Sequence, residues 1–252
     1  MSSVPNPIFS IVWFFITTII FFIIRYITLD SSKMIFAIIY IFILITGEFF
    51  INLQLSSALC GGIAQTGTAL MITFIPWLII FGLLNVVLMI FKGWKTPFAN
   101  TFGYLAARIM GVNGVLDDIL SSRKGTDGKV DVTIDKIYSD KSAFINQLYL
   151  DDFEQSFSRM KQKNIFKQDV SEGLKNKLYQ MVLLKDLVSE FVWYSLAGCL
   201  VTSVAYNYMI SSGCSKSVKD IHKTHDAIKT QKISEHEKKQ AAPKPRIYKI
   251  KD

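Results

Sequence analysis

"ALMITFIPWLIIFGLLNVVLMIFKGWKTPFANTFGY", residues 69–104, joins two kinds of sequence. Its first 23 residues, Ala69 to Phe91, carry no charge. A helix rises about 1.5 Å per residue, so about 20 apolar residues cross a hydrocarbon core about 30 Å thick. The segment after Phe91 is too polar to cross lipid and too aromatic for an ordinary linker. An indole settles in the headgroup layer while flanking lysines reach water, which is how Trp94 between Lys92 and Lys95 reads. Gly93 is expected to end the helix and Pro97 to prevent its return. Lys92, Trp94, Lys95, Pro97, Phe98 and Tyr104 together read as a membrane-exit anchor that keeps the next segment close to the bilayer.

Three more runs of the same kind lie on either side. Ile8 to Ile24 has no charge; Met34 to Thr46 has none and continues through Gly47 and Glu48 to Ile51; Phe191 to Ile210 has none. The chain of 252 residues has a net charge of +8 and a mean hydropathy of +0.32, averages that hide a division. Up to Phe91 the charged residues are Arg25, Asp30, Lys33 and Glu48, and all others come later. A soluble domain does not leave so long a stretch nearly uncharged, because its surface must face water. The expected fold is therefore mainly α, a multi-pass helical membrane protein. Its N-terminal membrane region, 1–91, holds spans at 8–24, 34–51 and 69–91. A small, mostly helical polar domain follows at 92–190, then a fourth span at 191–210 and a basic tail at 211–252.

The polar domain has 15 basic and 13 acidic residues. "SSRKGTDGK" within it reads as a loop. Val130, Val132 and Ile134 alternate with Asp131, Thr133 and Asp135, which is a strand pattern. Phe144, Leu148, Phe153, Phe157 and Met160 then fall on one helical stripe, and a second helix starts near Val170 and runs on into the fourth span. The stripe is a candidate face for a partner protein, to be weighed against packing inside its own domain. The tail has 11 basic and 5 acidic residues and too little apolar area to offset its chain entropy, so disorder is expected there. Its lysines suit non-specific contact with phosphates or anionic lipid headgroups.

Between the spans, "LDSSK" at 29–33 reads as a tight turn with Asp30, Ser31 and Ser32 as cap candidates, and 52–67 as an interfacial or re-entrant loop. Cys60, Cys199 and Cys214 are an odd set with no local pairing pattern, so no disulfide framework is expected. "MSSVPNP" has neither a basic residue nor a cleavage site after it, so the first run reads as an uncleaved anchor. Counting Lys and Arg near span ends puts 92–190 in the cytoplasm, although the basic tail pulls the other way. That conflict disappears if one of the two short N-terminal runs lies flat in the interface.

Few residues offer chemistry. Glu48 lies within an apolar run, where a carboxylate costs about 2.5–3.5 kcal/mol at a helix centre; Gly47, Asn52 and Gln54 beside it point to a shallower, interfacial position. Asn85 calls for a hydrogen bond to a neighbouring helix, and Pro76 for a bend. His222 and His225 are three apart but lack a third ligand, so no metal is expected. Asp117-Asp118 and Asp151-Asp152 point apart on a helix and read as caps or solvated faces. No nucleotide, hydrolase or zinc-protease motif occurs, so neither an enzyme nor a cofactor is expected.

The element Leu59-Cys60-Gly61-Gly62, then Ile75-Pro76-Trp77 in the span, then Gly-Trp-x-x-Pro-Phe-x-Asn-Thr-x-Gly-Tyr at 93–104 form a long ordered pattern. It resembles membrane-spanning proteins of nucleocytoplasmic large DNA viruses, and "WYSLAGCLVTSVAYNYMISSGC" at 193–214 is similar to the last span of that family. The first two spans and the tail lie outside the resemblance. It implies a structural protein of the virion's inner membrane, itself host-derived during assembly, or of its link to the capsid shell. Capsid or other virion proteins would be the partners, and no catalytic residues carry over. The rival reading from the residues alone is a small channel or transporter using Glu48 and Asn85.

Overall fold

A computed structural model describes residues 8–214 apart from 30, 61, 63, 123–130 and 213. The described residues are helical, with no strand beyond one isolated bridge between Leu120 and Phe166. Nine helices are named in chain order. α1 is Ile8–Ile27, α2 is Lys33–Leu59 and α3 is Thr66–Ile90. α4 covers residues 96–109, α5 is Val112–Ile119, α6 is Val132–Ser139 and α7 is Lys141–Ile145. α8 is Phe153–Gln162, and α9 is Glu172–Ser211.

Helices α1, α2, α3 and the second half of α9 form a bundle in which α9 touches each of the other three. All four are long and apolar enough to cross a membrane. Their packing is inverted relative to a soluble bundle. Phe9, Ile38, Phe42, Ile79 and Leu83 face outward, while Thr17, Thr18, Glu48, Asn52 and Thr73 are buried inside. Lipid can cover the first set but cannot satisfy the second, so helices in a bilayer turn polar side chains toward one another. The protein is a mainly α multi-pass membrane protein. An aromatic cluster fills the middle: Phe14 lies 5.6 Å from Trp77, and Phe21 stacks on Tyr40 at 4.5 Å. Gly198 on α9 lets α1 approach closely, since a methyl group there would run into the Phe14 ring.

The spans are longer than their apolar runs. α2 continues to Leu59 and α3 starts at Thr66, so most of the expected loop at 52–67 is helix. Inside α3 the turn Ile75–Phe81 is a π-helix with Pro76 near its start. Proline has no N–H to give, and a wider turn accommodates the loss. Both N-terminal runs pack side by side in the bundle.

The remaining helices build a cap at one end of the bundle, and α9 belongs to both. The helix expected from near Val170 into the fourth span is α9, with 40 residues and a length of about 60 Å. Ser171 caps its start by accepting a hydrogen bond from the Leu174 amide. Val130 lies outside the described residues, and the rest of the strand pattern, 131–135, is instead the cap and start of α6, because the Asp131 carboxylate accepts from the amides of Thr133 and Ile134 and nucleates a helix. Asp140 caps α7 through Ala143 in the same way. Asp152 precedes α8 without capping it and accepts from the Ser156 hydroxyl, and Asp117 pairs with Lys141.

Cys60 and Cys214 are disulfide-bonded and Cys199 is a free thiol, which corrects the expectation of none. The described residues up to Ser212 form one compact unit. The basic tail from 215 onward, with His222, His225 and His236, and the loop 123–130 lie outside the described residues.

Candidate functional site

The junction between bundle and cap is charged. Arg25 ends α1, Lys33 starts α2, Lys95 follows α3, and Asp186 and Glu190 sit one turn apart on α9. Glu190 gathers them. Arg25 Nη1 donates to its Oε2 at 2.5 Å, and Lys33 Nζ and Lys95 Nζ each reach its Oε1 at 3.3 Å. Lys95 Nζ also donates to Asp186 Oδ2 at 2.7 Å. The Arg25 and Glu190 side chains are 1% and 8% exposed, so this is a buried ion pair between the first and last helices. Phe21 and Phe22 lie 5.5 and 5.3 Å from the guanidinium carbon and give the cation aromatic faces as well. Burial works against the Lys95 ammonium, yet Glu190 and Asp186 beside it hold its titration above the ordinary lysine value. Sequence reasoning treated Arg25 only as a span boundary. The available signal was a lone Arg at the end of one apolar run and a lone Glu just before another.

The exit segment matches its expected place in part. Trp94 is half exposed, stacks on Phe91 at 5.7 Å and lies 6.0 Å from Trp193, an aromatic group at the level of the charges. Lys95 turns inward to its carboxylates, where the sequence reading sent it to water. α3 stops at Ile90, one short 3₁₀ turn covers Lys92–Lys95, and Pro97 opens the next helix. Proline's fixed φ suits a first helical turn, so Pro97 restarts the helix that it was expected to prevent. Phe98 and Tyr104 are half-buried, and Tyr104 packs against the cap core. α4 presents Ala99, Gly103 and Ala107 to α9, and Gly103 sits against the backbone carbonyl of Lys185.

The candidate partner face is interior. Phe144, Leu148, Phe153 and Phe157 are buried and Met160 packs against them, in one core with Leu116, Phe166 and Leu178. The stripe is broken between α7 and α8, and its two halves close over α5 and α9. An apolar stripe shows that something covers it, and here the chain itself does.

Lys185 was not singled out from sequence. It lies on α9 outside the apolar run 191–210, is 2% exposed, and donates to the carbonyls of Ile145 and Leu148 at 2.9 Å each. No carboxylate among the described residues is bonded to it. Burial pushes its ammonium down to about 8, with Asp186 opposing and Lys95 adding to the fall. It rivets the end of α7 to α9.

Glu48 and Asn85 are not brought together. Glu48 is fully buried, and Ser10 Oγ donates to its Oε2 at 2.5 Å. It lies about 16 Å along α2 from Leu59; of the polar residues after it, Asn52 and Ser56 face inward and Gln54 is exposed. Asn85 Nδ2 bonds Phe81 O of its own helix at 2.8 Å and does not bridge to a neighbour. Among the described residues, no group of three His, Cys, Asp or Glu is placed to hold a metal ion. No protein-family model, curated protein or solved structure matches the chain.

Proposed function

We propose that the protein is a structural membrane protein that carries its cap, residues 92–190, on the bilayer surface as a docking element for other proteins. The observation that carries this reading is α9. One unbroken helix passes from the cap core, where Leu178 and Val182 are fully buried, into the bundle core, where Val201 is. The Glu190 ion pairs lock its midpoint to α1, α2 and the exit segment. A force on the cap is thus delivered to the whole bundle. The resemblance of 69–104 supports a finer form: the membrane is the inner membrane of a large DNA virus particle, and the partner is the capsid shell or its scaffold. With its aromatic stripe turned inward, the cap meets such a partner through its charged outer surface.

Lysine cross-linking with mass spectrometry on the native membrane or particle tests this. Cross-links from cap lysines such as Lys136, Lys161 and Lys167 to capsid proteins are expected. Cross-links only within the chain itself would overturn the tether.

A further inference from the structure

The buried face of α2 changes character along its length. Tyr40 and Leu44 are followed, at steps of four, by Glu48, Asn52 and Ser56, these last three at most 3% exposed. Steps of four keep these side chains on one side of a helix. Each polar member meets another segment: Ser10 of α1 bonds Glu48, Thr73 of α3 accepts from Asn52 at 3.0 Å, and the Gln65 amide donates to Ser56 at 3.3 Å.

Two helix contacts also fix a layer. Phe14 packs on Gly198, and α1 and α9 run in opposite directions, so Ser10 and Thr202 lie one turn beyond that contact at the same depth. Asn52 bonds Thr73, and α2 and α3 are likewise opposed, so Glu48 and Trp77 lie one turn the other way, again level. All four bundle helices deliver a polar side chain to this layer. Three of those atoms are buried without a hydrogen-bond partner: Glu48 Oε1, Trp77 Nε1 and Thr202 Oγ1. Buried polar atoms are ordinarily paired, and one left unpaired calls for an explanation.

The donor set narrows the ligand. Among the described residues Glu48 makes no ion pair and its hydrogen-bond neighbour is Ser10; the nearest titratable side chain on its own face is Tyr40, two turns away. One carboxyl group and two hydroxyls fall short of the six or more oxygens that calcium or magnesium takes. The Trp77 N–H is a donor and ligates no cation. The cation that fits is the proton. Acids inside membrane bundles are where proton relays are built.

We propose that Glu48 is a proton-binding site reached from the membrane face on which α2 ends, by way of Asn52 and Ser56. The opposite direction is closed by Leu44, Phe14 and Phe81, each at most 2% exposed. Uptake forms one O–H bond on Glu48 and breaks one in hydronium, leaving water; release is the reverse. The site is one-sided and is not a pore, and it stands independently of the docking reading above.

The test is labelling of the full-length protein by dicyclohexylcarbodiimide, an apolar reagent that adds to protonated buried acids. Peptide mass spectrometry reads the adduct at Glu48, and Glu48→Gln supplies the blank. Labelling is expected to fall about tenfold per pH unit on the alkaline side of its midpoint, as one bound proton requires. An unlabelled Glu48, or labelling that does not change with pH, would overturn the site. The route is tested by Asn52→Leu with Ser56→Leu, checked for folding by size-exclusion profile, on hydrogen–deuterium exchange of the Ser10 hydroxyl–Glu48 pair followed by infrared difference spectra. Slowed exchange is expected, and an unchanged rate would overturn the route.

Discussion

Replacing Glu190 by Gln asks whether the ion pairs at the junction hold the first helix to the last. The substitution keeps the side chain's size and removes its charge. Lys33, whose side chain is 51% exposed, loses little, because water replaces its partner. Lys95 keeps Asp186. Arg25 is different: at 1% exposure it is a buried cation that loses its short contact with the Glu190 carboxylate. Breaking a buried pair by removing one partner costs about 3–5 kcal/mol, and the Phe21 and Phe22 faces together with Arg25's other interactions move the figure toward the lower end. For a domain of this size each kcal/mol shifts Tm by about 2–4 °C, so Glu190→Gln is expected to lower Tm by about 6–20 °C. The assay is thermal unfolding in detergent, followed by size-exclusion fluorescence. The double variant Arg25→Met with Glu190→Met is expected to recover most of the loss, since an apolar pair can replace a buried ion pair at little cost. A Glu190→Gln protein melting within about 2 °C of wild type would refute the reasoning, and so would a double variant no better than the single one.

Gly198→Ala puts a methyl group into the Phe14 ring and is expected to cost about 1–3 kcal/mol in the same melting assay; Phe14→Leu in the same chain should return part of it. Asp131→Ala removes the cap that makes α6 a helix and should destabilise the cap region by about 0.5–2 kcal/mol, read as faster amide exchange in 132–139 with the bundle unchanged. Lys185 gives a pH dependence. Its folded value, about 8, lies below the ordinary 10.5, so the unfolded chain binds the extra proton between these values. Stability rises with pH wherever the unfolded state binds more protons. Wild type should therefore gain stability relative to Lys185→Met as pH goes from about 8 to 10.5. A constant difference across that window would contradict a buried, carboxylate-free ammonium.

The four spans and the continuity of α9 were legible because both depend on local sequence: the length of an apolar run and the period of a helix. The junction was not, because Arg25 and Glu190 are brought together by the pairing of the first and last helices. Glu48 was read as near the interface because Asn52 and Gln54 follow it; Gln54 is exposed, but Asn52 is buried on the same face as Glu48. Asn52 and Ser56 repeat Glu48's position at steps of four, and that repeat was the readable sign of a buried polar stripe. The apolar residues from Phe144 to Met160 read as one helical stripe but fall on two helices with Leu148 between them, and a pattern on one segment does not say which surface covers it. Over 131–135 the alternation that favoured a strand lost to a single capping carboxylate.

Everything proposed for the cap depends on its being held to the bundle as one body through α9. Hydrogen exchange by mass spectrometry of the protein in lipid nanodiscs, resolved over residues 180–200, tests this directly. The account predicts uniformly slow exchange from the cap core through Glu190 into the fourth span, and faster exchange around 186–192 in Glu190→Gln. Rapid exchange there in the wild-type protein would reveal a hinge and contradict it.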